Sequence, residues 1–234
     1  MSLFRPASVQ CPNCGTPSLF EAVGSVNADR RPDLRDAILD NSFQMILCKS
    51  CGASYRLEPE FNFLDVGRRQ WIAVMPARKA IDFLEVEDQI TDLFDDSYGA
   101  RAPAAARELG KSLDVRLVFG WPAIREKLLL RAHSLDDVVA EMMKLDILRR
   151  VPSAPMEPGV DMRVAGVSDD FLAVVWCRAD TEETLSELTV PREIYNGIVR
   201  TREAWGAISA ALTEGPFVDM QKTFMGEGRS TAAE

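Results

Sequence analysis

Histidine is almost absent from this chain, with His133 the only one among 234 residues. A catalytic metal centre built on several imidazoles is thereby excluded, and one imidazole base at most remains. Neither a Gly-x-Ser-x-Gly nucleophile elbow nor a glycine-rich phosphate loop occurs. Long apolar runs are also lacking: none approaches the roughly 20 residues that cross a bilayer, and Met1-Ser2-Leu3-Phe4-Arg5-Pro6 does not resemble a signal peptide. These absences lead us to expect a cytoplasmic protein without membrane insertion. Calcium-loop spacing is missing as well, so Asp95-Asp96, Asp136-Asp137 and Asp169-Asp170 are expected as solvated turns and helix starts. His133 is expected at a helix C-terminus, facing carbonyls. No residue is nominated as catalytic, and the expectation is a protein that is not an enzyme.

Positive charge is scarce beyond the first third. The net charge is −9. Residues 1–80 carry 10 Lys and Arg against 8 Asp and Glu, whereas residues 81–234 carry 17 against 28. Because phosphate neutralisation dominates nucleic-acid affinity, the acidic part is a poor nucleic-acid surface. Nucleic acid is therefore not the expected partner.

Against this background the cysteines stand out. Four of the five form two Cys-x-x-Cys pairs, Cys11-Pro12-Asn13-Cys14 and Cys48-Lys49-Ser50-Cys51. In a reducing compartment such pairs bind metal or do redox work more often than they form disulfides. Two intervening residues let both thiolates face one ion while amides of the turn donate to sulfur. Gly15 and Gly52, each following a second cysteine, can take the positive φ that finishes the knuckle. Two knuckles give four thiolates in a tetrahedron: one structural zinc on Cys11, Cys14, Cys48 and Cys51, with iron as the alternative ion. Cys177, in the apolar run Ala173-Val174-Val175-Trp176-Cys177, is expected to be a small buried hydrophobe.

Residues 19–26 and 43–48 read as strands, and Pro32 opens a helix between them that stops near Asn41. Residues 54–58, 61–66 and 70–75 read as an antiparallel meander, followed by a helix over 77–97 whose Phe83, Val86, Ile90, Leu93 and Phe94 share a face. Further on come a helix at 102–111 and a strand at 113–119. A helical hairpin follows, with Pro122 opening its first helix; Ser134 and Asp137 make an approximate capping box for its second, whose buried face is Leu135, Val138, Val139, Met142 and Leu145. Residues 151–159, with three prolines and a glycine, suit a linker. Beyond it, strands at 162–167, 171–178 and 185–190 precede helices from Pro191 and Glu203. The expected fold class is α+β: a zinc-ribbon-like antiparallel sheet with an inserted helix, then helices and a smaller C-terminal α+β unit. The expected division is residues 1–150, a linker at 151–159, a unit at 160–225 and a disordered tail at 226–234.

Both knuckles, the 33-residue interval between them with its Pro32-Asp33-Leu34 helix, the strand running from Phe43 into Cys48, and the later Arg116-Leu117-Val118-Phe119-Gly120 and Leu135-Asp136-Asp137 stretches resemble the CpXC family over residues 11 to about 150. The likeness is fainter over Val190-Pro191-Arg192-Glu193-Ile194-Tyr195. Lys49 replaces the proline of the second motif and supplies no ligand. The resemblance implies a zinc-ribbon-like module whose activity is not established.

The functional expectation is accordingly a zinc-binding protein-interaction or scaffold protein of a cytoplasmic assembly. Phe217, Met220 and Phe224, three and four residues apart, are the expected contacts to a protein partner if they share a helical face. The alternatives are a nucleic-acid-associated regulatory factor using Arg30, Arg31, Arg68, Arg69, Arg78 and Lys79 near Trp71, and a thiol or iron redox protein.

Overall fold

The computed structural model describes residues 2–151, 154–155 and 157–225. The expected tail at 226–234, and residues 152, 153 and 156 of the expected linker, lie outside the described residues. The fold is α+β. A five-stranded sheet is built from β1 (Leu3–Gln10), β2 (Pro17–Asn27), β5 (Phe61–Asp65), β6 (Gln70–Met75) and β7 (Asp114–Phe119), in that spatial order. Between β2 and β5 the chain forms α1 (Pro32–Leu39) and a small hairpin of β3 (Met45–Leu47) and β4 (Ser54–Arg56).

The sheet is mixed, which corrects the expected antiparallel meander. β1 pairs with β2 and β5 with β6 antiparallel, but β2 runs parallel to β5 and β6 to β7. Parallel neighbours need a long crossover, and the chain supplies two. The first is α1 with the β3/β4 hairpin; the second is a short 3-10 turn, α2 (Phe83–Ser97) and α3 (Ala104–Gly110). β4 belongs to the separate hairpin and not to a meander with β5.

β6 is buried on both faces except at its last residue. Its Ile72 and Val74 join Phe61, Phe63, α1 and α4 (Gly120–Ala132) on one side, while Trp71 and Ala73 meet Phe83, Val86 and Ile90 of α2 on the other. This split follows the two-residue period of a strand. A second core joins α5 (Asp137–Arg150) to the antiparallel sheet of β8 (Val160–Val167), β9 (Phe171–Arg178) and β10 (Thr184–Pro191) and to α6 (Arg192–Arg200) and α7 (Gly206–Leu212). Helix α4 therefore serves both sheets, its Trp121, Ile124 and Leu128 in the first core and its Leu130 in the second. No helix among the described residues is long and apolar enough to cross a membrane.

The expected buried face of α5 is in place, but its cap is not Ser134. Ser134 adopts φ +54° and the Leu135 N–H reaches the Leu130 carbonyl at 2.9 Å, so this residue closes α4 in the left-handed conformation. Asp136 caps α5 instead, accepting from the Val138 and Val139 N–H groups. His133 follows the end of α4, the expected position, and its backbone N–H is directed at the Leu129 and Leu130 carbonyls.

The expected partner contacts also change. The Pro216 carbonyl accepts from the Leu117 N–H on the edge of β7, and the Phe217 N–H donates to Glu87 Oε1 at 2.8 Å. The segment runs across the body before a short 3-10 turn at Met220–Thr223, so no helical face gathers Phe217, Met220 and Phe224. Phe217 packs between Phe83 and Phe119, Met220 lies in the α5 core, and Phe224 alone is exposed.

Candidate metal centre

Each cysteine pair occupies the turn of a hairpin, Cys11 and Cys14 between β1 and β2, and Cys48 and Cys51 between β3 and β4. The two turns repeat one bonding pattern. The Gly15 N–H returns to the Cys11 carbonyl at 2.8 Å and the Gly52 N–H to the Cys48 carbonyl at 2.9 Å; Cys11 and Cys48 in turn donate to the Thr16 and Ala53 carbonyls. Gly15 and Gly52 have φ of +70° and +73°. A Cβ on either would meet nothing within 4 Å, so backbone conformation and not crowding calls for glycine.

The four sulfurs lie within 4.8 Å of one another. Their short separations run between the knuckles: Cys11 to Cys51 and Cys14 to Cys48, each 3.7 Å. A disulfide requires about 2.0 Å, and all four cysteines are free. A tetrahedron with metal–sulfur bonds of about 2.3 Å has sulfur–sulfur edges of about 3.8 Å, so both short edges fit a tetrathiolate ion. Thiolates accept zinc and iron alike, and this spacing does not choose between them.

Each knuckle contributes one buried cysteine, Cys11 or Cys48, and one exposed, Cys14 or Cys51. Burial pushes the Cys11 thiol up to about 11 against the Cys14 and Asn13 amides, which donate toward its sulfur. Cys14 is drawn down to about 6, first by the Thr16 hydroxyl 3.2 Å away and then by the Thr16 amide. Cys51 is lowered by the Asn13 side chain, whose Nδ2 reaches across from the other knuckle at 3.5 Å, and by the Ala53 amide. Donors from both turns thus favour thiolate, the ligating form, at Cys14 and Cys51.

The hairpins lie on separate sheets, and Gln44 joins them. Its Oε1 accepts from the Val23 N–H at 3.0 Å and its Nε2 donates to the Glu21 carbonyl at 3.1 Å, completing the free edge of β2 with a side-chain amide. Phe43, buried beside it, stacks edge-on against Phe61 and Trp121, each with centroids 6.1 Å away. Sequence reasoning placed Phe43 and Gln44 in a strand and gave them no role; Gln44 has φ +61° and precedes the strand. The positive φ expected at Gly15 had no counterpart signal at a glutamine.

Other singled-out residues disperse. Cys177 is buried in β9, where burial raises its thiol to about 11, far from a reactive thiolate. The basic residues do not share the knuckle end. β2 leaves the first knuckle and spans 11 residues, about 35 Å, before Arg30 and Arg31. Asp29 binds the Val66 and Gly67 N–H groups, which brings the Arg68-Arg69 turn to that far end. Arg78 and Lys79 pair instead with Glu58 and Glu60.

No curated protein and no solved structure matches this chain. A family model described as CpXC protein matches residues 9–144, which takes in both knuckles, α1, the five-stranded sheet from β2 onward and most of the α4/α5 hairpin. With more than half of its length so matched, the chain belongs to the CpXC family.

Proposed function

We infer that this protein binds one zinc ion in a structural role and works without catalysis, as a protein-interaction or scaffold component of a cytoplasmic assembly. The observation that carries the reading is the closed set of four sulfurs. Cys11, Cys14, Cys48 and Cys51 would fill a tetrahedral ion's coordination and leave no position for substrate or water, the pattern of structural and not catalytic zinc. Bound there, the ion would tie the β1/β2 hairpin to the β3/β4 hairpin. Support for an interaction role comes from the same two hairpins, which leave Leu19 and Leu47 exposed at 88% and 68% beside the knuckles. Nucleic acid is not favoured, because Arg30, Arg31, Arg68 and Arg69 stand far from the knuckles and the chain carries a net charge of −9.

Native mass spectrometry tests the metal: one zinc per chain is expected, absent when Cys48 becomes Ser. A coloured protein carrying iron would replace zinc, and metal-free protein with four reduced thiols and an unchanged ribbon would remove the site. Affinity purification at native abundance tests the role, with a protein partner expected that Leu19→Glu and Leu47→Glu lose. Recovery of nucleic acid in place of protein would overturn it.

A further inference from the structure

Beside the β3/β4 hairpin, and away from the sulfurs, lies a cavity of about 430 Å3 between β4, the start of α4 and the loop joining β9 to β10. That volume is within the range of about 300–1,000 Å3 common for small-molecule sites. Its charge balance is unusual. The Arg56 guanidinium is 6% exposed and rests over the Trp121 ring at 4.4 Å. Arg125, from α4, approaches the same point. Both arginines pair with one carboxylate, Glu182: Arg56 with Oε1, and Arg125 Nη1 with Oε2 at 2.5 Å. Their remaining polar contacts are neutral, Arg56 with the Asn41 carbonyl and Arg125 with Asn41 Oδ1. Of the other acids of the wall, Glu58 pairs with Arg78 and Glu183 with Arg178, while Asp180 accepts from the Thr181 N–H.

Two largely buried cations thus share a single anion, an arrangement that costs free energy unless a further negative group arrives. Burial, and then repulsion from Arg125, lowers Arg56 to about 10. Two donors of this wall, Arg56 Nε and the Tyr55 hydroxyl, are buried with no hydrogen-bond partner among the described residues, as is one acceptor, Glu182 Oε2, which Arg125 meets as an ion pair. Glu182 itself has φ +64°, a conformation disfavoured for a residue with a side chain. Its loop sits close against the cavity floor, since a Cβ on Gly120 would lie 3.0 Å from the Ala179 carbonyl.

We propose that Arg56 and Arg125 form a receptor for the oxyanion head of a small organic ligand, phosphate or carboxylate, with Glu182 as its resident occupant and Trp121, Met45, Leu57 and Pro59 receiving the ligand's apolar body. The two guanidinium groups supply the paired donors that oxyanions accept. The cavity exceeds the size of a bare phosphate, and its apolar residues give the body somewhere to go.

Calorimetric titration of the full chain with inorganic phosphate and with phenyl phosphate tests this. Both are expected to bind one to one, phenyl phosphate about tenfold more tightly or better. Glu182→Gln keeps the side-chain shape and removes the competing charge, so it should tighten both by about tenfold; Arg125→Gln should weaken both by at least as much. If Glu182→Gln lowers the melting temperature by leaving two cations unpaired, phenyl phosphate should restore it. Equal affinity for the two probes would leave free phosphate as the ligand and overturn the organic body. Absence of saturable binding to both the native chain and Glu182→Gln, or binding unchanged by Arg125→Gln, would overturn the site.

Discussion

Two regions of this molecule hold distant segments together with polar groups, and they do it by opposite routes. At the knuckles, four identical ligands from two hairpins meet at the protein surface, half of them exposed. Between α4, α5, β8 and the C-terminal segment, seven charged residues meet in the interior instead: Glu126, Lys127, Glu141, Lys144, Asp161, Arg163 and Asp219, each at most 4% exposed. Lys144 is bound by Glu126 at 3.1 Å, by Glu141 at 2.7 Å and by the Met162 carbonyl at 3.1 Å. Arg163 holds Asp161 and Asp219, while Lys127 reaches Asp137 at 3.0 Å and the Val218 carbonyl at 2.7 Å. Glu126 Oε1 also accepts from the Val164 N–H at 2.6 Å, and Glu141 Oε2 from the Met220 N–H at 2.8 Å. The comparison teaches that a metal site is assembled from ligands each positioned by its own turn, whereas a buried ionic network exists only once every element has arrived.

Removing the knuckle ion is the largest perturbation. Structural zinc contributes on the order of 10 kcal/mol of apparent folding free energy in small modules, so chelation should release residues 11–16 and 48–53 to hydrogen exchange while amides of α5 stay protected. Loss of protection in α5 at the same chelator concentration would show that the two regions are one cooperative unit.

Next comes a break in the network. Lys144→Met leaves Glu126 and Glu141 buried without their shared cation and should cost about 3–5 kcal/mol in urea unfolding, with metal content unchanged. Pairing it with Glu126→Gln should recover part of that loss; strictly additive costs would mean that the two residues do not act together.

Acid should separate the regions by a smaller amount. Burial alone would raise Asp219, but Arg163 and Lys144 pull it down to about 2, below its unfolded value. A depressed carboxyl contributes stability that is present above the unfolded pKa of about 3.9 and is lost as pH falls through the folded one, here about 3 kcal/mol. Unfolding followed between about pH 4 and pH 2 should therefore show a falling midpoint that Asp219→Asn abolishes, and an unchanged slope in that variant would exclude Asp219 as the source.

The smallest effect tests how the β3/β4 hairpin is seated. Gln44→Ala removes the amide that bridges to Glu21 and Val23 and should cost about 1 kcal/mol, seen as faster exchange of the Val23 amide at unchanged metal content. If metal affinity falls with it, the β3/β4 hairpin depends on β2 for the position of its sulfurs.

Much of the local structure was legible because its causes are local. Pro32 opens α1 and Asn41, at φ +67°, follows its end; β6 occupies the expected residues 70–75. β1 was missed, since its Pro6 and polar residues suit an edge strand and give a weak pattern. The helix cap slipped from Ser134 to Asp136 because two residues could serve and the end of α4 claimed the first. Asp137 was expected in a solvated helix start but pairs with Arg116 and Lys127, and the charges of α4 and α5 drew no reading, for nothing near them in sequence names their partners, which lie up to 93 positions away in the case of Asp219 and Glu126 through Arg163.

The sequence by itself determined which cysteines come together. Cysteine spacing and the glycine after each pair set a knuckle within six residues, and two such knuckles present four sulfurs that could hold one ion. Tertiary structure alone decided the mixed order of the sheet, the burial of Phe217 and Met220, and the convergence of Arg56 and Arg125 on Glu182. The physical reason is range. A turn is fixed by the backbone preferences of its own residues, but whether a charge or an aromatic ring is buried depends on which distant element covers it.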